Sequence, residues 1–416
     1  MKKRLLLITN GFPFGQSERS FLTEEAKELA ETFDLLILAL ETRDELLYST
    51  DGIRRIERYS IPSFRKNCSF GAIKSFLEAA TLGEVWQCAK KNRFKGLAEI
   101  LIEILYFRFE AWEMERQISA LVESEKIDIV YTYWCTGATL GAVKLKKRFP
   151  HLKVITRFHG VDLYEERKNI NWQPFRKEIA READSLCFAC EYGRSYFVQH
   201  WGAEHAGKMY LSYLGSTDRG VSTLQKMDKL RILSCCDLIP LKRVELIIKG
   251  LALLPETMCV SWDIFGDGTE RKVLEKLAME EFAKCPNITW EFHGFVPNEE
   301  LTEEYRKLSP QIFVTTSSTE GGAPVSIQEV FSMGIPAIGT QVGGIPDLIL
   351  DGETGYLLPE RAEPPHVAEA ILRFAAQTDE KKQIMRDAVR CRWAEKFDAR
   401  KNAVQFTAYL QELASK

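Results

Sequence analysis

The chain has no window of about 18 uninterrupted apolar residues, and this excludes a membrane-spanning helix from its expected elements. Nor does Asp-x-Asp occur anywhere in it, so the closely spaced carboxylates that hold a hard divalent cation are missing. Its first glycine-rich loop, Gly11-Phe-Pro-Phe-Gly-Gln-Ser-Glu, is not a Gly-x-Gly-x-x-Gly, which weakens a dinucleotide-binding reading. Charge of one sign is also lacking. With 56 basic and 59 acidic residues the net charge is −3, too small to draw the whole molecule to nucleic acid, so an anionic ligand has to be met by a local site.

A secretory signal is not expected either. Met1-Lys-Lys-Arg runs into an apolar stretch that stops at Thr9-Asn10-Gly11, too short for a signal core and without a small-residue cleavage site. The ten cysteines are accordingly expected as reduced thiols in a cytoplasmic protein. Cys235, Cys236 and Cys259 fall in strand or core patterns. Cys187 and Cys190 form a Cys-x-x-Cys with no second pair, closing the apolar stretch from Ser185, and read as structural.

What is present is an α/β alternation in a chain of 416 residues, long enough for two domains. The run Arg4–Thr9, the loop Asn10–Gly15, a helical pattern over Glu18–Thr32 and the run Leu35–Leu40 make a βαβ unit. Ile127–Tyr133, Lys153–Phe158 and Ser185–Ala189 continue that sheet. A second series reads Leu230–Ser234, Val260–Phe265, Ile288–His293, Ile312–Thr315 and Ile335–Gly339, with helical patterns between. Residues 1–215 are therefore expected as one doubly wound Rossmann-like domain, 216–229 as a linker and 230–392 as a second. In such sheets ligands sit outside the carboxyl ends of the strands, and two such edges facing each other make a cleft.

Between Phe64 and Val122 lies a helical excursion that a minimal βαβ fold does not need. It holds Lys90, Lys91, Arg93 and Lys95, followed by the apolar-aromatic stretch Leu97–Trp112. One reading is a basic turn and helix resting on an anionic membrane surface. The other is a helix covering the sheet beside a solvated basic turn, favoured because Glu99, Glu103 and Glu110 would oppose an anionic surface.

The chemistry concentrates in Thr315-Thr-Ser-Ser-Thr-Glu-Gly-Gly-Ala-Pro-Val-Ser-Ile-Gln-Glu-Val-Phe-Ser-Met-Gly. A strand ends near Thr316, a loop carries Glu320, Gly321, Gly322 and Ala323, and Pro324 and Val325 suit the first turn of a helix that Gly334 closes. The glycines let backbone amides approach a ligand, and the helix start adds unpaired N–H groups, a geometry for a diphosphate. Glu329, one to two turns inside the helix, suits a polyol such as ribose. The segment resembles the Glu-x₇-Glu signature of GT4 retaining glycosyltransferases of the GT-B fold. Glu320 and Glu329 are nine apart instead of eight, but Pro324 to Glu329 keeps the usual five, so the extra residue falls in the glycine loop. The resemblance implies that Glu320 approaches the donor sugar, that Glu329 binds the donor ribose, and that the last helix, from about 393 to 416, crosses back to the first domain.

Lys242 and Arg243 stand at a helix start, where cations are disfavoured unless an anion is near. The resemblance assigns Lys242 to the donor phosphates. Its usual Arg partner five residues earlier is here Asp237, so Arg243 is the candidate for the second charge. Arg157-Phe-His-Gly-Val-Asp resembles the family's His-Gly-x-Asp element, with His159 facing the donor sugar and Asp162 anchoring the loop. In the first loop Gly15 and Gln16 are candidates for acceptor or phosphate contact, and Ser17 and Glu18 also suit a helix cap and first-turn acid. Gly266 and Gly268, and Gly294 and Phe295, mark two strand-end turns implied to lie beside the nucleotide. Gly343-Gly-Ile-Pro-Asp completes the donor lobe, with Asp347 where a Glu is usual.

The resemblance thus implies a metal-independent, cofactor-free, retaining transfer of a sugar from a nucleoside-diphosphate sugar to a hydroxyl. The acceptor is an oligosaccharide or lipid-linked saccharide of cell-surface polysaccharide or glycolipid synthesis, with no nucleic-acid partner and with peripheral contact at the cytoplasmic face of the membrane left open. Cations and helix amides would stabilise the leaving diphosphate. A nucleotide-sugar epimerase or phosphorylase of the same fold is the rival enzyme, and a non-catalytic sugar-nucleotide sensor the rival binding protein.

Overall fold

The computed structural model describes residues 2–14, 18–40, 45–46, 49–64, 70–223 and 228–416, with the backbone alone at 19–21 and 70–72. It divides into two units, residues 1–214 with 399–416, and 215–398.

The first unit carries strands β1 (Arg4–Thr9), β2 (Asp34–Ala39), β3 (Arg55–Arg58), β4 (Ile129–Thr132), β5 (Lys153–Phe158), β6 (Ser185–Phe188) and β7 (Met209–Leu211). They form one parallel sheet in the order β3-β2-β1-β4-β5-β6-β7. Its helices are α1 (Arg19–Thr32), α2 (Phe70–Phe76), α3 (Ala79–Lys91), α4 (Leu97–Glu125), α5 (Gly137–Leu145), α6 (Arg176–Glu182) and α7 (Glu191–Trp201). Because side chains alternate across a strand, β1 feeds two cores. Leu5 and Leu7 join Leu22, Leu29 and Phe33 under α1, whereas Leu6 and Ile8 join Ile104, Met114 and Ile118 of α4. A strand covered on both faces reads as an unbroken apolar run, which is why Arg4–Thr9 is legible without alternation.

The second unit has β8 (Leu230–Cys235), β9 (Val260–Phe265), β10 (Ile288–Gly294), β11 (Ile312–Thr315), β12 (Ala337–Thr340) and β13 (Gly355–Leu358), parallel in the order β10-β9-β8-β11-β12-β13. Around them lie α8 (Val244–Ala252), α9 (Arg271–Phe282), α10 (Asn298–Leu308), α11 (Val325–Ser332), α12 (Ile345–Leu348), α13 (Pro364–Ala375) and α14 (Asp379–Lys396). The last helix, α15 (Ala399–Ser415), returns to the first unit, where Phe406 and Leu410 enter the core beside Leu5 and Tyr131.

Two boundaries differ from the sequence expectation. The described part of 216–229 is not a free linker but belongs to the second unit. Ser222 N–H donates to the Met333 carbonyl at 3.0 Å and Arg219 reaches Glu329. The returning helix starts at Ala399 and not near 393, because Trp393 is buried in the second unit with its indole N–H on Ser216 Oγ at 2.9 Å. The Cys-x-x-Cys is structural, with Cys190 Sγ accepting the Gly193 N–H as the cap of α7. Among the described residues no helix is long and apolar enough to cross a membrane.

Candidate functional site

In each sheet the strand order reverses once, between β1 and β4 in the first and between β8 and β11 in the second. Such a switch point opens a crevice at the carboxyl ends of its two strands. Lys242 follows β8 and Glu320 follows β11, and Lys242 Nζ donates to Glu320 Oε1 at 2.6 Å.

Backbone and side-chain bonds lock the two loops that carry this pair. Ser318 N–H donates to the Leu241 carbonyl at 2.8 Å, and Thr316 Oγ1 to those of Lys242 and Arg243 at 3.1 and 2.8 Å. Arg243 answers from the other side, with Nε on the Thr316 carbonyl at 2.8 Å and Nη2 on that of Ser317 at 3.1 Å. Its guanidinium therefore braces the loop; these contacts do not present it as a second ligand charge in place of Asp237, and burial lowers its pKa. Gly343, at φ +51°, lies under the loop, and a Cβ there would stand 2.1 Å from the Glu320 carbonyl oxygen. The third loop, after β9, is threaded as closely. A Cβ on Gly268 would lie 2.4 Å from the Leu238 carbonyl, and one on Gly266 1.9 Å from that of Cys236. These glycines serve loop-to-loop packing, whatever else they touch.

Pro324 caps α11. The additional residue of the Glu320–Glu329 interval thus falls in the loop 321–323, and Glu329 keeps its phase on the second helical turn. Its buried carboxylate accepts from Arg219 Nη2 and Asn298 Nδ2 through Oε1, both at 2.7 Å. Arg219 is fixed in turn by the Asn298 carbonyl at 3.0 Å and Thr302 Oγ1 at 2.8 Å. Neither Arg219 nor Asn298 was singled out from sequence. An arginine in a polar stretch before a strand gives no periodic signal of its burial. At the neighbouring turn after β10, Phe295 is 77% exposed beside Gly294.

Burial pushes the Cys235 and Cys236 thiols, at the end of β8, up to about 12. They are neutral thiols and offer no nucleophile at neutral pH. One group of three ligand types occurs among the described residues, Asp263, Glu291 and His293, but His293 Nε2 already bonds Asp263 Oδ1 at 2.8 Å.

In the first unit, Glu18 does not act as a side-chain cap of α1. Its buried carboxylate accepts the N–H groups of Asn10, Gly11 and Phe12 at 3.0, 2.8 and 2.7 Å and the Trp134 indole N–H at 2.5 Å. It ties the loop after β1 to the turn after β4, so it is spent within the protein. The Trp134 ring lies 4.2 Å from that of His159. Asp162 holds the next turn, accepting from the His159 and Cys135 backbone N–H groups at 2.7 and 2.8 Å. His159 is 7% exposed, and burial, reinforced by Arg157, takes its pKa down to about 3. At neutral pH the ring is uncharged. Its Nε2 meets the Tyr133 carbonyl at 3.0 Å and must donate there, which leaves Nδ1 as an acceptor. Gly15 and Gln16, the other candidates of the first loop, lie outside the described residues.

Two parallel doubly wound sheets, one with a glycine loop and helix start at its switch point, give the chain the GT-B fold seen in solved glycosyltransferases. The Anabaena protein Alr3699/HepE, solved in complex with UDP and glucose, shares that fold at a TM-score of 0.66 and 16% identity, over 99% of this chain and 100% of that one. Residues 219–390 match the family described as "Glycosyl transferases group 1". A Methanocaldococcus jannaschii protein described as an uncharacterized glycosyltransferase is 24% identical over 68% of this chain and 72% of its own length. The amylovoran biosynthesis glycosyltransferase AmsK of Erwinia amylovora is 26% identical over 35% of this chain, which covers 36% of AmsK.

Proposed function

We propose that the chain transfers a sugar from a nucleoside-diphosphate donor to a saccharide hydroxyl, with retention at the anomeric carbon and without a metal. The observation that carries this reading is the Lys242–Glu320 pair at the switch point of the second sheet. Lys242 and the amides at the start of α11 take the diphosphate and hold its growing charge as the glycosidic bond breaks. Binding of the phosphates draws Lys242 off Glu320, and the freed carboxylate accepts hydrogen bonds from sugar hydroxyls. Glu329, already oriented by Arg219 and Asn298, takes the ribose, and the exposed Phe295 stacks on the base. The acceptor proton leaves toward the departing phosphate, so no enzymic nucleophile is required. In the first unit His159 offers Nδ1 as a hydrogen-bond acceptor to a saccharide. The amylovoran biosynthesis in which AmsK acts and the UDP and glucose bound to Alr3699/HepE support a uridine donor and a polysaccharide product.

A thermal-shift screen of nucleoside-diphosphate sugars identifies the donor, since a ligand of the native state raises Tm. NMR of the product with that donor is then expected to show the donor's anomeric configuration, at a rate unchanged by EDTA. An inverted product, or activity lost to EDTA and restored by a divalent cation, overturns the reading. A donor epimerised without an acceptor selects the epimerase instead.

A further inference from the structure

Nine of the twenty exposed large apolar side chains among the described residues lie between Ile73 and Tyr106, a concentration that a surface of scattered apolar groups does not produce. Seven of these nine belong to one hairpin, α3 and α4 with the turn 92–96, and Ile73 and Leu77 lie just before it. On α3, Leu82 and Trp86 are 56% and 61% exposed at i, i+4. On α4, Ile100, Ile104 and Met114 cover the sheet, while Leu97, Leu101 and Ile102 look outward. Covering the sheet, the role favoured from sequence, accounts for one face of α4 only.

The turn is built to hold its tip outward. Asn92 Nδ2 pins it to the body through the Ile170 carbonyl at 2.7 Å. Arg93 and Phe94 then both take left-handed backbone, at φ 52° and 58°, which is unfavourable for residues with a Cβ. The result leaves Phe94 49% exposed, its ring against Trp86 at 5.5 Å, between the exposed cations Arg93 and Lys95. Strain kept at two successive residues to expose an aromatic ring points to function.

Of the three acids set against a membrane reading one is withdrawn from the surface, and two neighbouring acids have partners. Glu110 is buried, Glu78 pairs with Arg108 and with Lys144 at 3.1 Å, and Glu84 accepts the Trp172 indole N–H at 2.8 Å. Glu99 and Glu103 remain, at helical angles beside and not within the arc of Leu97, Leu101 and Ile102. Lys91 pairs with Glu165, and Lys90, Arg93 and Lys95 surround the tip.

We infer that this hairpin tip docks on an anionic lipid surface, with Trp86, Phe94 and Leu97 entering the interface and Lys90, Arg93 and Lys95 facing the headgroups. Apolar side chains rimmed by cations fit a bilayer of negative surface charge better than a second copy of this chain, which would set like charges together. The inference is independent of the transfer chemistry, because binding is read without turnover.

The full chain should co-sediment with phosphatidylglycerol–phosphatidylcholine vesicles and not with phosphatidylcholine alone, with a blue-shifted tryptophan emission that Trp86→Phe removes. Arg93→Glu with Lys95→Glu should weaken binding by about fivefold or more per cation removed. Trp86→Ser with Phe94→Ser should abolish it, with Tm retained as proof of folding. Equal binding to both vesicles, binding to neither, or variants that bind like the parent overturns the inference. So does a concentration-dependent dimer that Phe94→Glu dissociates, which would assign the face to a second copy.

Discussion

Glu320 Oε1 accepts from Lys242 and Glu329 Oε1 from Arg219, so each acid of the pair rests against its own cation. The two cations do different work. On the proposed reading Lys242 meets the ligand's charge, and Arg219 only orients Glu329. Lys242→Ala is therefore expected to lower affinity for the nucleoside diphosphate alone, by calorimetry, as well as turnover by roughly 10²–10³-fold, the range for a lost donor to developing charge. Glu320→Gln should reduce turnover while leaving diphosphate affinity within about threefold, since the amide still fits but no longer competes for Lys242. Loss of diphosphate affinity in Glu320→Gln would place that carboxylate in phosphate binding and sink the division of roles. His159 permits a second test at this scale. Its folded-state pKa of about 3 lies below the ordinary 6.5, so between these values the unfolded chain holds the extra proton. Its contribution to stability is present above about pH 6.5 and is lost as pH falls toward 3. Asp162, raised by burial, works in the opposite sense over its own range. Imidazole nitrogen NMR should show a neutral Nε2–H ring still at pH 5, and a midpoint near 6.5 would refute the burial argument.

At the scale of elements, the site depends on how closely three strand-end loops can approach. Gly343→Ala places a Cβ 2.1 Å from the Glu320 carbonyl at a left-handed φ, so the glycine loop has to move. The expected result is a lower donor affinity and a Tm fall, whereas Gly83→Ala, mid-helix with nothing within 4 Å of the new Cβ, should stabilise by about 0.5–1 kcal/mol. Unchanged donor affinity in Gly343→Ala would detach that turn from the site. Strands buried on both faces were legible in the sequence, and β1, β5, β9 and β11 begin and end where their apolar runs do. β3, β7 and β13 were missed for physical reasons. β3 is Arg-Ile-Glu-Arg at a sheet edge, β7 is three half-buried residues at the other edge, and β13 is a four-residue edge strand. β3 and β7 carry little core and so little pattern, whereas β13 puts Tyr356 and Leu358 in the core but is too short a run to stand out. The same holds for the site. Glu320, Glu329 and Lys242 announce themselves through loop and helix chemistry, while the Arg219–Asn298 clamp joins residues 79 apart and has no local signature.

At the scale of the molecule, the first unit is made from two separated stretches, with 399–416 supplied by the far end of the chain. Helix α15 is more than a lid on that sheet. Phe406 lies with Tyr131 at 5.2 Å between ring centres and under the buried Arg157 guanidinium at 4.5 Å, and Tyr409 stacks on Tyr210 at 3.9 Å. Arg157 in turn donates to Glu25 of α1 at 2.7 Å and to Ser212 Oγ at 2.9 Å. An ion pair this deep is tolerable only while its surroundings keep it dry and bonded, and an uncompensated partner left behind is costly. Phe406→Ala should cost about 3–5 kcal/mol and Glu25→Gln a similar amount, and the two effects should fall short of additive because both act on Arg157. The loss should be confined to the first unit. Hydrogen exchange is expected to accelerate at the amides of β1, β2 and β4 and to stay slow in β8, β9 and β11. Equal acceleration in both sheets would mean that the units unfold as one, and undiminished protection in β1 would mean that α15 is dispensable to the sheet it covers.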